Sequence, residues 1–178
     1  MIGRLGLLLF MLSFFAQAED TLTQIRARLP QTEIVQGHFS QEKQLKFLSK
    51  PLVSQGEFVF WQEHGVLWKT LSPVASTLLI NNSRLLSNHG EQAIPVSFGR
   101  IFPALLGGDW TKLQADFNLN ATLQTESWQI ELVPKDPLLA KAIASLHLGG
   151  DSELRQLEIH EVSGNQSIIR FEIGRAHV

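Results

Sequence analysis

Six histidines and 17 acidic side chains are the groups in this 178-residue chain with which chemistry could be done, and there is no cysteine. His38, His64, His89, His147, His160 and His177 form no H-x-H or H-E-x-x-H pattern, and no thiolate is present to complete a zinc set. Glu63-His64 and His160-Glu161 are neighbours in sequence, but adjacent strand residues point to opposite faces, so neither pair makes a dyad. There is no G-x-S-x-G elbow and no P-loop. Gly107-Gly108-Asp109 closes a helical pattern instead of opening one, the wrong side for cradling a phosphate. Glu42, Glu63 and Asp116 could supply a carboxylate pair, yet nothing in their spacing ties them together. Catalysis has no visible carrier, so neither an enzyme nor a metal or cofactor is expected.

The informative excess is apolar. Residues 56–80, GEFVFWQEHGVLWKTLSPVASTLLI, read as three antiparallel strands. Phe58 and Phe60 alternate with Glu57, Val59 and Trp61, the period of a strand with two faces. Gln62-Glu63-His64-Gly65 is a polar turn ending in glycine. Val66, Trp68 and Thr70 then share a face, Ser72-Pro73 interrupts the ladder, and Thr77 to Ile80 forms a third run. Both faces of this short meander are apolar, which demands a cover or a ligand. Ordinary core is the commoner fate of such aromatics; a ligand cavity is the alternative, and composition leaves both open.

The remaining elements frame that meander. Met1 to Ala18 has one basic residue (Arg4), an apolar run and an Ala16-Gln17-Ala18 site, the pattern of a cleaved secretory signal. Residues 19–178 then make a single domain. Its mild acidity (formal charge −2 on the whole chain) gives no support for nucleic-acid binding. With no cysteine for disulfides or lipid attachment, a periplasmic protein without a stable membrane anchor is expected, working as a monomer.

Asp20 to Leu29 has Leu22, Ile25 and Leu29 at helical spacing before Pro30. Ile34 to Gln41 reads as a strand, with Val35, Gly37 and Phe39 on one face. Arg84 to Leu86 is a short strand, and Asn88-His89-Gly90 turns. Over Val96 to Leu106 the period changes: Phe98, Ile101, Phe102, Leu105 and Leu106 recur at three- and four-residue steps, a helical face kept short by Pro103. Leu113, Ala115, Phe117 and Leu119 alternate as a strand, and Trp128, Ile130 and Leu132 as another. A helical turn within Leu138 to Ile143 precedes strands at Ser145 to Leu148, Arg155 to Val162 and Ser167 to Ile173. The fold class is mainly β (α+β): an antiparallel sheet of roughly ten strands that must curl, with two helices across its inner side.

Several of these features occur in one order. Gly37-His38-Phe39-Ser40-Gln41 with Lys43 is followed by Gly56-x-Phe58, Leu67-Trp68, Pro73 and Ser76-Thr77-Leu78-Leu79-Ile80. Leu132-Val133-Pro134-Lys135, Leu154 to Ile159, Glu161, Gly164 and Phe171 come later. The ordered set resembles the periplasmic outer-membrane lipoprotein carriers, LolA and its LolA-like relatives. The resemblance implies a half-open antiparallel β-barrel of ten or eleven strands, with an α-helical lid over an apolar cavity that holds acyl chains. It implies as partners a lipoprotein or other acylated cargo, an inner-membrane ABC transporter and an outer-membrane receptor. The residues it nominates for cargo are Phe39, Phe58, Phe60, Val66, Trp68, Leu78 and Ile80 from strands, with Phe98, Ile101, Phe102 and Leu105 from the lid.

Typical carriers place an arginine in the turn before Leu67-Trp68, where it helps latch the lid; here that turn is Gln62-Glu63-His64-Gly65. The departure opens a second reading, a diverged shuttle for a glycolipid or an aryl-polyene lipid. A third, from another class, is a structural or adaptor β-domain whose apolar faces are wholly internal.

Overall fold

The computed structural model describes residues 21–62, 64–81, 84–88, 90–93, 101, 103, 104, 106 and 110–174. Eleven strands form one antiparallel sheet that does not close. They are β1 (Ile34–Gln44), β2 (Leu52–Trp61), β3 (Gly65–Ser72), β4 (Ser76–Ile80), β5 (Arg84–Ser87) and β6 (Gly90–Ala93). After a helical stretch come β7 (Phe117–Leu123), β8 (Trp128–Pro134), β9 (Ile143–Gly150), β10 (Leu154–Glu161) and β11 (Gln166–Gly174). The spatial order is β6-β5-β4-β3-β2-β1-β11-β10-β9-β8-β7. Two meanders are thus joined at their first and last strands, where Phe39 faces Phe171. The two edges, β6 and β7, are the strands that flank the helical stretch in sequence. The barrel is half-open.

The alternation that predicts strands also sets the inner face. Val35, Phe60, Val66, Ile80 and Leu85 form one cross-strand row over five strands. Ile169, Leu157, Leu148, Ile130 and Ala121 form another on the far half. Helix α1 (residues 21–28) buries Leu22 and Ile25, followed by Leu29 just beyond its end, in the same core. Among the helical residues 101, 103, 104 and 106, Ile101, Ala104 and Leu106 are buried there too. A short 3-10 turn at Leu139–Lys141 occupies the expected helical position.

Two expectations fail. Residues 110–116 are a helix, α2 (Trp110–Asp116), and the strand begins only at Phe117. Trp110, Leu113 and Phe117 are the buried positions, spaced three and four apart, while Ala115 is exposed; the helical period wins over an accidental alternation. The sequence predicts only a turn at Asn88-His89-Gly90 where β6 begins, because Gly-Glu-Gln-Ala carries no apolar signal. The strand exists by pairing with β5.

Candidate functional site

On the inner face, an aromatic cluster spans the central strands. The Phe39 ring stacks on Trp68 with centroids 3.8 Å apart, and Phe58 lies 6.1 Å from Trp68. Phe171 meets Phe58 edge-on at 5.5 Å and Trp68 at 6.2 Å. The stack is permitted by Gly56, which faces Phe39 across the ladder. A Cβ there would lie 2.7 Å from the Phe39 ring and would collide with the Lys69 carbonyl oxygen. The Gly56-x-Phe58 pattern is thereby explained as one residue making room and the next lining the face.

The strand residues nominated from sequence share this face. Phe39, Phe58, Phe60, Val66, Trp68 and Ile80 are buried, with Leu78 packed partly buried against them. Ile101 joins the same core. Phe98, Phe102 and Leu105 lie outside the described residues.

A cavity of about 890 Å³ lies at the end of the sheet where β1 begins and β11 finishes. Leu29, Val35, Leu106, Leu154 and Ile173 supply apolar wall, and Arg28, Glu33 and Glu153 supply charge. None of the nominated residues lines it. The sequence signal for Val35 and Ile173 was strand parity with Phe39 and Phe171; Leu29 and Leu106 needed the helix packing. The cavity falls within the size range of small-molecule sites.

Beside the cavity, both carboxylate oxygens of Asp151 share the N–H of Arg155 Nε (3.1 and 3.0 Å), and Oδ1 also accepts from the Glu153 N–H at 3.0 Å. Burial pushes the Asp151 carboxyl up, but those bonds outweigh it and hold the group below its ordinary value. In the inner-face core, Trp110 stands edge-on to Trp128 at 5.9 Å. Trp110 Nε1 is buried without an acceptor among the described residues, whereas Trp128 Nε1 donates to the Asp151 carbonyl at 2.8 Å.

The polar groups gather on the outer face. Strand register brings His147 and His160 to a ring separation of 4.9 Å, beside Glu131 (3.9 Å from His147) and Glu158 (3.4 Å from His160). Periodicity along one strand could not reveal that meeting. Among the described residues, no group of three or more such side chains is arranged to hold a metal ion. Glu42 pairs with Arg170 at 2.6 Å and Asp116 ends α2, while Glu63 lies outside the described residues.

The sequence model of the outer membrane lipoprotein carrier protein LolA-like family matches residues 16–171. The chain belongs to the LolA-like family. A search of curated proteins finds no match. Among solved structures, it is similar to the LolA superfamily protein NE2245 from Nitrosomonas europaea, at 10% identity and a TM-score of 0.48, covering 90% of this chain and 94% of that one. A putative outer membrane lipoprotein-sorting protein domain from Vibrio parahaemolyticus shows 9% identity, a TM-score of 0.46, and coverage of 90% and 94%. The MucA/MucB complex of Pseudomonas aeruginosa matches at 14% identity and a TM-score of 0.46; the match covers 91% of this chain but only 59% of that one.

Proposed function

We propose that this LolA-like protein is a periplasmic carrier that shelters acyl chains of a lipidated cargo against the inner face of its open sheet. It moves them from the inner to the outer membrane without making or breaking a bond. The observation that carries this reading is an unclosed sheet whose inner face is apolar from β5 to β7, with a cavity of about 890 Å³ between α1, Leu106 and the central strands. Each methylene moved from water into such a site contributes about 0.8 kcal/mol, so a chain is held firmly without specific polar contacts. The aromatic cluster at Phe39, Phe58 and Trp68 is the part of the cargo face filled by its own side chains. Acyl chains enlarge the cavity towards it when the helical cover shifts.

Cargo is either a lipoprotein or, given a β2–β3 turn without arginine, a glycolipid or aryl-polyene lipid. An inner-membrane ABC transporter would load it and an outer-membrane receptor would take it. Mass spectrometry of what co-purifies from the native periplasm tests this. Acylated protein at stoichiometric level supports the lipoprotein route, and free lipid supports the diverged shuttle. A preparation free of acyl material that also fails to take up added fatty acid leaves an adaptor domain. Ile173→Lys, in the cavity wall and only partly buried, is expected to stay folded and reduce fatty-acid uptake at least tenfold in a fluorescent displacement assay.

A further inference from the structure

Seven large hydrophobic residues among those described are more than half exposed, between 51% and 80%. Strand register places all seven at one end of the sheet, where β1 and β3 finish and β2, β4 and β11 begin. Phe47, Leu52 and Val53 belong to the β1–β2 hairpin, and Leu71 and Val74 to the β3–β4 turn. Leu138 projects from the β8–β9 connection and Val162 from the β10–β11 turn. At the other end, which holds the cavity, the most exposed of the described large hydrophobics are Trp61 and Ile34, at 48% and 43%.

These tips are built and tied together. Gln44 Nε2 donates to the Leu45 and Leu48 carbonyls (3.1 and 2.7 Å), and Leu48 N–H donates to Leu45 at 3.0 Å, fixing the turn that presents Phe47. Lys46 N–H donates to Asn165 Oδ1 at 3.1 Å, joining that hairpin to the β10–β11 turn. Val162 N–H donates to the Ala142 carbonyl at 2.9 Å, joining the turn in its own right to the β8–β9 connection. Charge at this rim is basic. Lys46, Lys50 and Lys141 are exposed and make no ion pair among the described residues. Of the acids there, Glu161 is paired with Lys43 at 2.8 Å, Asp136 accepts the N–H groups of Leu138 and Leu139, and Asp116 ends α2 beside Lys135, so the lysines outnumber the carboxylates.

We propose that this rim docks the protein on an anionic lipid bilayer. The hairpin tips enter the headgroup boundary as shallow apolar wedges, and the lysines meet the lipid phosphates. A protein partner would also cover apolar residues; tips from four separate connections, three of them tied together by hydrogen bonds and interleaved with exposed lysines, match a laterally uniform, negatively charged surface better. The inference does not depend on what fills the cavity.

The absence of cysteine makes the test direct. The protein purified from the periplasm is mixed with vesicles of phosphatidylglycerol and phosphatidylethanolamine. Separate Val74→Cys and Thr125→Cys variants, at opposite ends of the sheet, carry an environment-sensitive dye. Sedimentation with these vesicles, weakening several-fold as salt rises beyond ~0.1 M, with a blue shift at position 74 alone, is the expected result. Phe47→Glu combined with Val74→Glu, folded by circular dichroism, is expected to lower vesicle partitioning at least tenfold. Failure to bind the anionic vesicles, an equal shift at both labels, or unchanged partitioning of the double variant overturns the proposal. So does a concentration-dependent dimer abolished by Phe47→Glu without any vesicle binding, which would assign the rim to a second copy of the chain.

Discussion

Gly56 and Phe39 face each other across the β1–β2 ladder, and the missing side chain of one sets the ring position of the other. Gly56→Ala is expected to destabilise the fold by about 1–3 kcal/mol, because both the ring and a backbone carbonyl must give way. Phe39→Leu in the same chain should recover part of the loss, measured by denaturant unfolding. Glu161 is the second informative residue. The hydrogen bond from Lys43 comes first, and with Asn165 and Ser163 it holds this carboxyl below its ordinary value against the opposing effect of burial. A lowered carboxyl stabilises the folded state above its unfolded value of about 4.3, and that contribution disappears as pH falls through the lower folded value. Glu161→Gln should therefore melt below the parent at pH 7, by no more than about 1 kcal/mol for a partly exposed pair. The two curves should converge as pH falls through that lowered value, as thermal melts taken on the acid side would show. The feature was beyond sequence reading, since Lys43 and Glu161 meet only because β11 pairs with β1 on one side and with β10 on the other.

Helix α1 shows how an element acts as cover. Ile25 is fully buried in the core that the sheet's inner face forms. Ile25→Ala should cost about 2–5 kcal/mol, while Arg28→Ala, in the cavity wall, should leave stability nearly unchanged; chemical denaturation of both separates cover from rim. Elements with strong periods were legible: the Phe58/Phe60 and Trp128/Ile130/Leu132 alternations gave strands facing inward, and Leu22/Ile25/Leu29 gave the helix. Elements made by partners were not. β6 has no apolar pattern of its own, and α2 hid behind a chance alternation of Leu113, Ala115 and Phe117. The site divided in the same way. Strand parity found the aromatic face, but the cavity wall joins Leu29, Leu106 and Leu154 from three distant stretches, and only folding brings those together.

Across the whole molecule, order should fall away from the centre. β1 and β11 are paired on both sides, while β6 and β7 have one neighbour each. Native-state hydrogen exchange is expected to find the slowest amides in β1, β2 and β11, and the fastest strand amides in β6 and β7. Uniform protection across all eleven strands would contradict a sheet that ends at those edges. The same layout separates the molecule's two apolar features, since the cavity sits at one end of the strands and the hairpin wedges at the other.

The pairing of first strand with last has a consequence for how the chain is made. Gln36 lies opposite Gly174, so the middle of the sheet joins the most distant strand residues in sequence. A polypeptide released from its N-terminus can assemble β1 to β6 as a meander of local hairpins, but β1 keeps one edge open until the final strand emerges. Closing so long a loop is slow, and the open edge invites pairing with another chain meanwhile. Proper assembly is therefore a race between the last segment and a stranger.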